Sequence, residues 1–274
     1  MDMLRTQGLD LPVLGLGTYR LTGTAGQAAI ESALALGYRH LDTAEMYGNE
    51  VEVGAALVVS GVPRDQVVVT SKVWVDHLGP DAMRRAIEAS LRRLKLDQLD
   101  LYLIHWPAPG MDLGAVLKSL QTLQDEGWTR AIGTGNFTLA LLKRAVEEFN
   151  VSLACNQVEY HPYLDQSRMR DWLHHHGIAL TAYSPLATGL VNDDPVLVDI
   201  AAKHNASPTQ VALKWLLDQP GVAVIPKSTR PASQQANLDA LKLRLDDEDR
   251  RRIAGLRKDR RLINPGFAPA WDTP

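Results

Sequence analysis

Apolar and polar positions along the chain switch between two periods in a regular rotation. Helical apolar spacing over residues 27–36 stops at Gly37, a residue suited to the left-handed conformation that closes a helix. Residues 40–44 then read as a short strand and residues 50–59 as a helix stopped at Gly61-Val62-Pro63. The run Val67-Val68-Val69-Thr70-Ser71-Lys72 is β-branched and reads as a strand. Pro80-Asp81 opens a helix through Leu94, and residues 99–106 form the next strand, ending in His105-Trp106-Pro107. The rotation goes on with a helix over 114–126 closed by Gly127, a strand over 131–136, and a helix capped by Thr138 and running through Phe149. A strand over 153–160, a helix over 166–176 closed by Gly177, and a strand over 179–184 follow. Two helices cover 195–205 and 207–219, the second with Ser207 as N-cap and Pro208 as its first residue. A last strand spans 222–227, helices lie near 234–241 and 246–256, and an irregular tail rich in Pro and Gly ends the chain. Ahead of the first helix, residues 4–16 read as a hairpin turning at Gln7-Gly8, then a strand ending at Gly15-Leu16-Gly17-Thr18.

Strands that alternate with helices imply a parallel sheet. Eight such units with no linker between them match the size of one (β/α)8 barrel, about 250 residues. The expected fold is therefore an α/β TIM barrel with an N-terminal β-hairpin and a short C-terminal tail, a single domain over residues 1–274. A doubly wound sheet would carry a glycine-rich phosphate turn after its first strand. Here Gly15-Leu16-Gly17 runs into Thr18-Tyr19-Arg20, so that fingerprint fails.

Composition narrows the function classes. The 274 residues are 45% hydrophobic and 22% charged with a net charge of −3, which allows a large core and offers no basic surface for nucleic acid. Arg250-Arg251-Arg252 lies among Asp246, Asp247, Glu248 and Asp249 and reads as a solvated helix face. Cys155 is the single cysteine, so no intrachain disulfide or cysteine metal cluster can form. The first ten residues carry charge and no apolar run, and no stretch has membrane-spanning length, so a cytoplasmic location is expected.

In a barrel of this kind the active site sits at the C-terminal strand ends. The last polar residues of the strands are Asp42, Lys72, His105, Asn136, Gln157, Tyr183 or Ser184, and Lys227. Stepping back by two puts His40, Thr70, Leu103, Thr134, Cys155 and Thr181 in the inward layers below them. A single polar strand end is usually plain surface, but seven at one mouth form a site. Tyr47, five residues beyond Asp42, joins them on a loop. A free phenol has a pKa of about 10, too high for efficient proton donation at neutral pH. A neighbouring lysine ammonium lowers it, and that ammonium needs a carboxylate in a partly dry pocket. Asp42 and Lys72 supply the pair, and His105 can hydrogen-bond a substrate oxygen. An acid without a nucleophile points to carbonyl reduction, with hydride arriving at carbon and Tyr47 protonating oxygen.

Asp, Tyr, Lys and His at these positions resemble the aldo-keto reductase superfamily, and the resemblance covers nearly the whole chain. It includes Leu41-Asp42-Thr43-Ala44 through Tyr47, Thr70-Ser71-Lys72, Ile104-His105-Trp106-Pro107, Asn156-Gln157-Val158-Glu159-Tyr160-His161-Pro162, Ala182-Tyr183-Ser184-Pro185-Leu186 and Ile225-Pro226-Lys227-Ser228. The ending, Asp259-Arg260-Arg261-Leu262 to Ala268-Pro269-Ala270-Trp271-Asp272, is most similar to the short-tailed bacterial 2,5-diketo-D-gluconate reductase B group, which also reduces methylglyoxal. The resemblance implies NADPH as cofactor, a small carbonyl substrate, a monomer, Tyr47 as general acid, Lys72 and Asp42 as its tuning pair, and His105 as substrate orienter. It implies that Asn136 and Gln157 hold the nicotinamide carboxamide and that Tyr183 stacks on the ring. Thr18 also falls among the implied cofactor residues, and Ser184, Leu186 and Thr188 would line the pyrophosphate path. Lys227, Ser228, Thr229 and Arg230 would hold the adenosine 2′-phosphate, with Asn237 near the adenine. Tyr19, Trp74 and Trp106 would wall the substrate pocket. The short tail implies an open pocket with few contacts from the C-terminus.

This chain departs from the family pattern in two places. Gly135 stands where the family usually has serine in Gly-x-Ser-Asn-Phe, and Ser233 and Ala236 replace an arginine and a glutamate at the adenine end. His174-His175-His176 splays around a helix and cannot converge on one metal ion. His161 reads as structural and Cys155 as a buried apolar group. A metal-dependent hydrolase would need more strand-end ligands than Asp42 and His105, and Lys72 would repel the metal. The alternative kept open is an NADPH-binding regulatory or sensor protein with low turnover, a role some relatives of this fold play.

Overall fold

The computed structural model describes residues 2–272. A hairpin of β1 (Met3–Thr6) and β2 (Leu9–Pro12) precedes eight parallel strands: β3 (Leu16–Gly17), β4 (His40–Asp42), β5 (Val68–Val73), β6 (Leu99–Ile104), β7 (Thr129–Gly135), β8 (Cys155–Glu159), β9 (Ala179–Tyr183) and β10 (Val222–Val224). Their spatial order is their chain order, and the ring closes where Gly15 N donates to Val224 O and Val224 N to Val13 O, at 2.9 and 2.8 Å. Helices α1 (Gly23–Leu36), α2 (Glu50–Ser60), α3 (Pro80–Leu94), α4 (Leu113–Asp125), α5 (Leu139–Lys143), α6 (Ser167–His175), α7 (Pro195–Lys203), α8 (Pro208–Leu217), α9 (Pro231–Asp239) and α10 (Asp247–Ala254) surround it. This is the expected TIM barrel.

Two apolar layers follow from the alternation of side chains along each strand. Leu41, Val69, Val73, Tyr102, Ile104, Ile132, Val158, Leu180, Val222 and Val224 face outward and join the helix residues in one cluster. Val68, Leu101, Leu103, Ala131, Cys155, Ala179 and Ala223 face inward and meet Leu9 and Leu11 of the hairpin, which plugs the bottom of the barrel. Each fully buried leucine or valine there contributes roughly 1.5–3 kcal/mol. Local signals act as read: Ser207 and Gln210 form a capping box on α8, and Thr138 caps α5 by accepting from Leu141 N. The helix after Thr138 keeps its length but widens into a π-helical turn over Arg144–Glu148.

One inward assignment is overturned. Thr134 faces the helices, where its hydroxyl donates to Asn156 Oδ1 at 2.9 Å. Its neighbours Gly133 and Gly135 face the barrel interior instead. The cause lies at Asn136, whose φ of +60° breaks the alternation just beyond β7, so counting back from it lands on the wrong face.

Candidate active site

Strand β4 ends in Asp42, and Lys72 is the next-to-last residue of its partner β5. Both side chains are buried, and Lys72 Nζ lies 2.6 Å from Asp42 Oδ1 and 2.7 Å from Thr43 O. The third contact of the ammonium is Tyr47 Oη at 3.4 Å. Tyr47 ends a 3-10 turn over Glu45–Tyr47 that is held from both sides. Gly48 leaves it in the left-handed conformation at φ +65°, and the buried Asn49 receives Thr43 Oγ1 while donating to Thr18 O and Leu21 O. Burial pushes the Tyr47 hydroxyl upward, and Lys72 opposes it without winning. The expected lowering by the lysine is thus present in direction but outweighed. Burial also works against the Lys72 ammonium; there Asp42 and Tyr47 prevail and raise its pKa.

His105 follows β6 and meets Tyr47 and Trp74 edge-on, with ring centroids 5.5 and 5.2 Å apart. Burial first, and Lys72 second, hold its pKa well below the ordinary value, so the imidazole is neutral. Its Nδ1 is buried without a partner among the described residues. Four side chains from three successive strands and the loops after them therefore meet at one mouth: a buried cation, its counter-ion, a phenol and a neutral imidazole.

Around them stand the other expected residues. Gln157 on β8 donates Nε2 to Asp42 Oδ2 at 2.6 Å. Asn136 donates to His105 O at 3.0 Å and accepts from the Tyr183 hydroxyl at 2.8 Å. Thr18 is buried and donates its hydroxyl to Asp42 O. The loop after β9 places Ser184, Ala187 and Thr188 at φ of 47°, 47° and 54°, left-handed values for non-glycine residues that cost roughly 1–3 kcal/mol each. Leu186 lies in the same loop, half-buried. Lys227, Thr229 and Arg230 are exposed and Ser228 half-buried, all immediately before α9, with Ser228 Oγ accepting from Arg230 N at 3.2 Å. Asn237 is buried in α9, the helix whose Gln234 O accepts the Tyr38 hydroxyl at 3.0 Å.

The aromatic wall is larger than the sequence suggested. Tyr19 meets Tyr47 at 5.0 Å. Trp74 is fixed by Glu45, whose Oε1 accepts from Trp74 N and from His77 Nδ1. The C-terminal tail then crosses the mouth. Phe267 lies 5.7 Å from both Trp74 and Trp106, and Trp271 lies 6.0 Å from Trp106. The expectation of a pocket with few tail contacts is therefore corrected. Phe267, Trp271 and Glu45 were missed; two aromatics in a Pro/Gly-rich tail were the available signal. His161 does read as structural, its Nε2 lying 2.9 Å from the buried Glu159 carboxylate. Cys155 is buried in the barrel interior, its thiol pushed up to about 12 by burial. Among the described residues no three His, Cys, Asp or Glu side chains come together as metal ligands, and no helix is long and apolar enough to cross a membrane.

Comparison with known proteins shows the family. The aldo/keto reductase family model matches residues 13–258. Methylglyoxal reductase DkgB of Salmonella typhi is 42% identical over 268 residues, covering 96% of this chain and 100% of that protein. Glyoxal reductase of Bacillus subtilis is 41% identical over 257 residues, covering 93% of this chain and 92% of that protein. Among solved structures, one assigned as a 2,5-diketo-D-gluconic acid reductase B superposes with a TM-score of 0.95 at 38% identity, covering 100% of this chain and 98% of that one. The aldose reductase of Schistosoma japonicum gives 0.91 at 30% identity, covering 98% and 99%. The chain belongs to the aldo/keto reductase family.

Proposed function

We propose that this protein reduces small aldehydes and ketones, of the methylglyoxal and diketo-gluconate kind, to alcohols with NADPH, and that Tyr47 donates the proton. The observation that carries this is the position of Lys72 Nζ between Asp42 Oδ1 and Tyr47 Oη, at 2.6 and 3.4 Å, beside a neutral His105. The residues fit a phosphorylated dinucleotide. The half-buried Tyr183 offers a ring to stack on, the loop of Ser184, Leu186 and Thr188, left-handed at Ser184 and Thr188, would line the pyrophosphate, and Lys227 with Arg230 offers charge at the N-terminus of α9. Thr18, Asn136, Gln157, Ser228, Thr229 and Asn237 complete the proposed cofactor set. When bound, NADPH supplies the hydride.

The chain's own groups do the rest. Neutral His105 can donate to a carbonyl oxygen and hold it near Tyr47. Tyr47 carries its proton at neutral pH, as any phenol does; burial alone weakens it as a donor, and the Lys72 ammonium works in the opposite direction. As negative charge develops on the substrate oxygen, the Tyr47 proton moves to it, and the phenolate left behind is stabilised by the Lys72 ammonium. Asp42 keeps that ammonium charged. Tyr19, Trp74, Trp106, Phe267 and Trp271 exclude water from one side and suit a small substrate. The membership of the family and the names of its reductase relatives support this reading over a slow regulatory nicotinamide sensor. Mixing protein, NADPH and methylglyoxal and following the reduced-nicotinamide absorbance tests it. Steady loss that a chelator does not affect is expected; tight NADPH binding with no loss across a panel of small aldehydes would overturn it.

A further inference from the structure

Glu159 ends β8 with its carboxylate fully buried and takes no part in the chemistry above. Its Oε1 accepts from Leu262 N at 2.7 Å and faces His161 Nε2 at 2.9 Å; its Oε2 accepts from Ile263 N at 2.9 Å. A carboxylate accepts on both oxygens and donates on neither, so it matches two successive backbone N–H groups that have no strand to pair with. Gln166 Nε2 donates to Glu159 O at 2.9 Å and holds the acceptor in place. Arg261 lies between these contacts, 4.0 Å from Glu159 Oε2, with its guanidinium 3.7 Å over the Trp271 ring. Five residues beyond Leu262 the tail reaches Phe267, and Trp271 follows against Trp106. Leu139 N donates to Asp272 Oδ2 at 2.7 Å and ties the far end.

We propose that Glu159 is a positioning residue. It seats the C-terminal segment so that Phe267 and Trp271 close the aromatic wall and set the size of carbonyl substrate the pocket accepts. The selectivity half rests on the carbonyl-reductase reading; the seating half does not. Glu159→Gln keeps the volume but turns one acceptor into an amide that faces a backbone N–H, so the tail loses its seat.

The test compares the wild-type chain, Glu159→Gln and Phe267→Ala. Trypsin cleavage after Arg260 and Arg261 is expected to be about tenfold faster in Glu159→Gln and unchanged in Phe267→Ala. Both variants should raise KM for methylglyoxal about tenfold while kcat changes far less and NADPH affinity stays put. Both should also narrow the preference for it over a bulky aromatic aldehyde, and Glu159→Asp should restore part of the protection. Native protection in Glu159→Gln would overturn the seating. Faster cleavage with an unchanged substrate preference would overturn the selectivity, as would an unchanged preference in Phe267→Ala should Glu159→Gln not fold. Failure of the wild type to turn over any carbonyl would remove the reductase reading and the selectivity with it, while the cleavage rates still decide the seating.

Discussion

Gln157 Nε2 donates to Asp42 Oδ2 at 2.6 Å from β8, the strand opposite β4 in the eight-membered ring. With Lys72 on Oδ1, both oxygens of this buried carboxylate are satisfied by groups from different sides of the barrel. The carboxylate thus ties the lysine to the far wall, and the Lys72 ammonium is left with one direction to face, toward Tyr47.

The Asp42–Lys72 pair should behave as a unit. Removing one partner strands a buried charge, so Lys72→Met and Asp42→Leu are each expected to cost about 3–5 kcal/mol of stability in urea unfolding. The double variant should be less destabilised than the sum of the two, while turnover stays lost. Additive losses would show that the two charges do not support each other.

Acid should destabilise the fold through His40. This side chain is buried beneath the active site, with Nε2 3.0 Å from Thr70 Oγ1, and its pKa is lowered to about 4 by burial. Between that value and the ordinary 6.5 the unfolded chain binds a proton that the folded chain does not. Stability from this group is therefore complete above 6.5 and falls as pH drops toward 4, by about 3 kcal/mol in all. Wild-type stability should fall relative to that of His40→Leu as pH drops through this window. Parallel pH dependences would count against it.

Gly135 is expected to resist the serine found elsewhere in the family. A Cβ at this position would lie 2.5 Å from His105 O and 3.0 Å from Ile104 O, both backbone atoms that cannot swing aside. Gly135→Ser should lose about 1–3 kcal/mol in thermal unfolding. A neutral effect would mean that β6 and β7 can separate without strain.

Much of this was legible because the chain's chemistry sits where period and topology agree. Asp42 and Lys72 are strand-end residues in a βα rotation, and alternation brings them to one mouth. Thr134 was misassigned because a left-handed Asn136 interrupts the alternation, and no residue pattern announces that φ. Phe267 and Trp271 escaped because the tail has no period to read, and its path depends on Glu159, about a hundred residues earlier. Gln157 was legible as a strand-end residue, but its bond to Asp42 crosses the barrel and has no local signature.

Arg230 should separate the two nicotinamide cofactors. It is exposed beside Lys227 at the start of α9, suited to a 2′-phosphate. Arg230→Ala should weaken NADPH binding by about 10- to 100-fold and NADH binding little, measured by titration of protein fluorescence. Equal loss for both would remove this role.

Tyr47→Phe tests proton donation most directly. The change removes one oxygen from the pocket and leaves the ring packed against Tyr19 and edge-on to His105. With methylglyoxal and saturating NADPH, kcat is expected to fall about a thousandfold while the dissociation constant for NADPH stays within about twofold of wild type. A variant that keeps wild-type turnover would contradict Tyr47 as the proton donor.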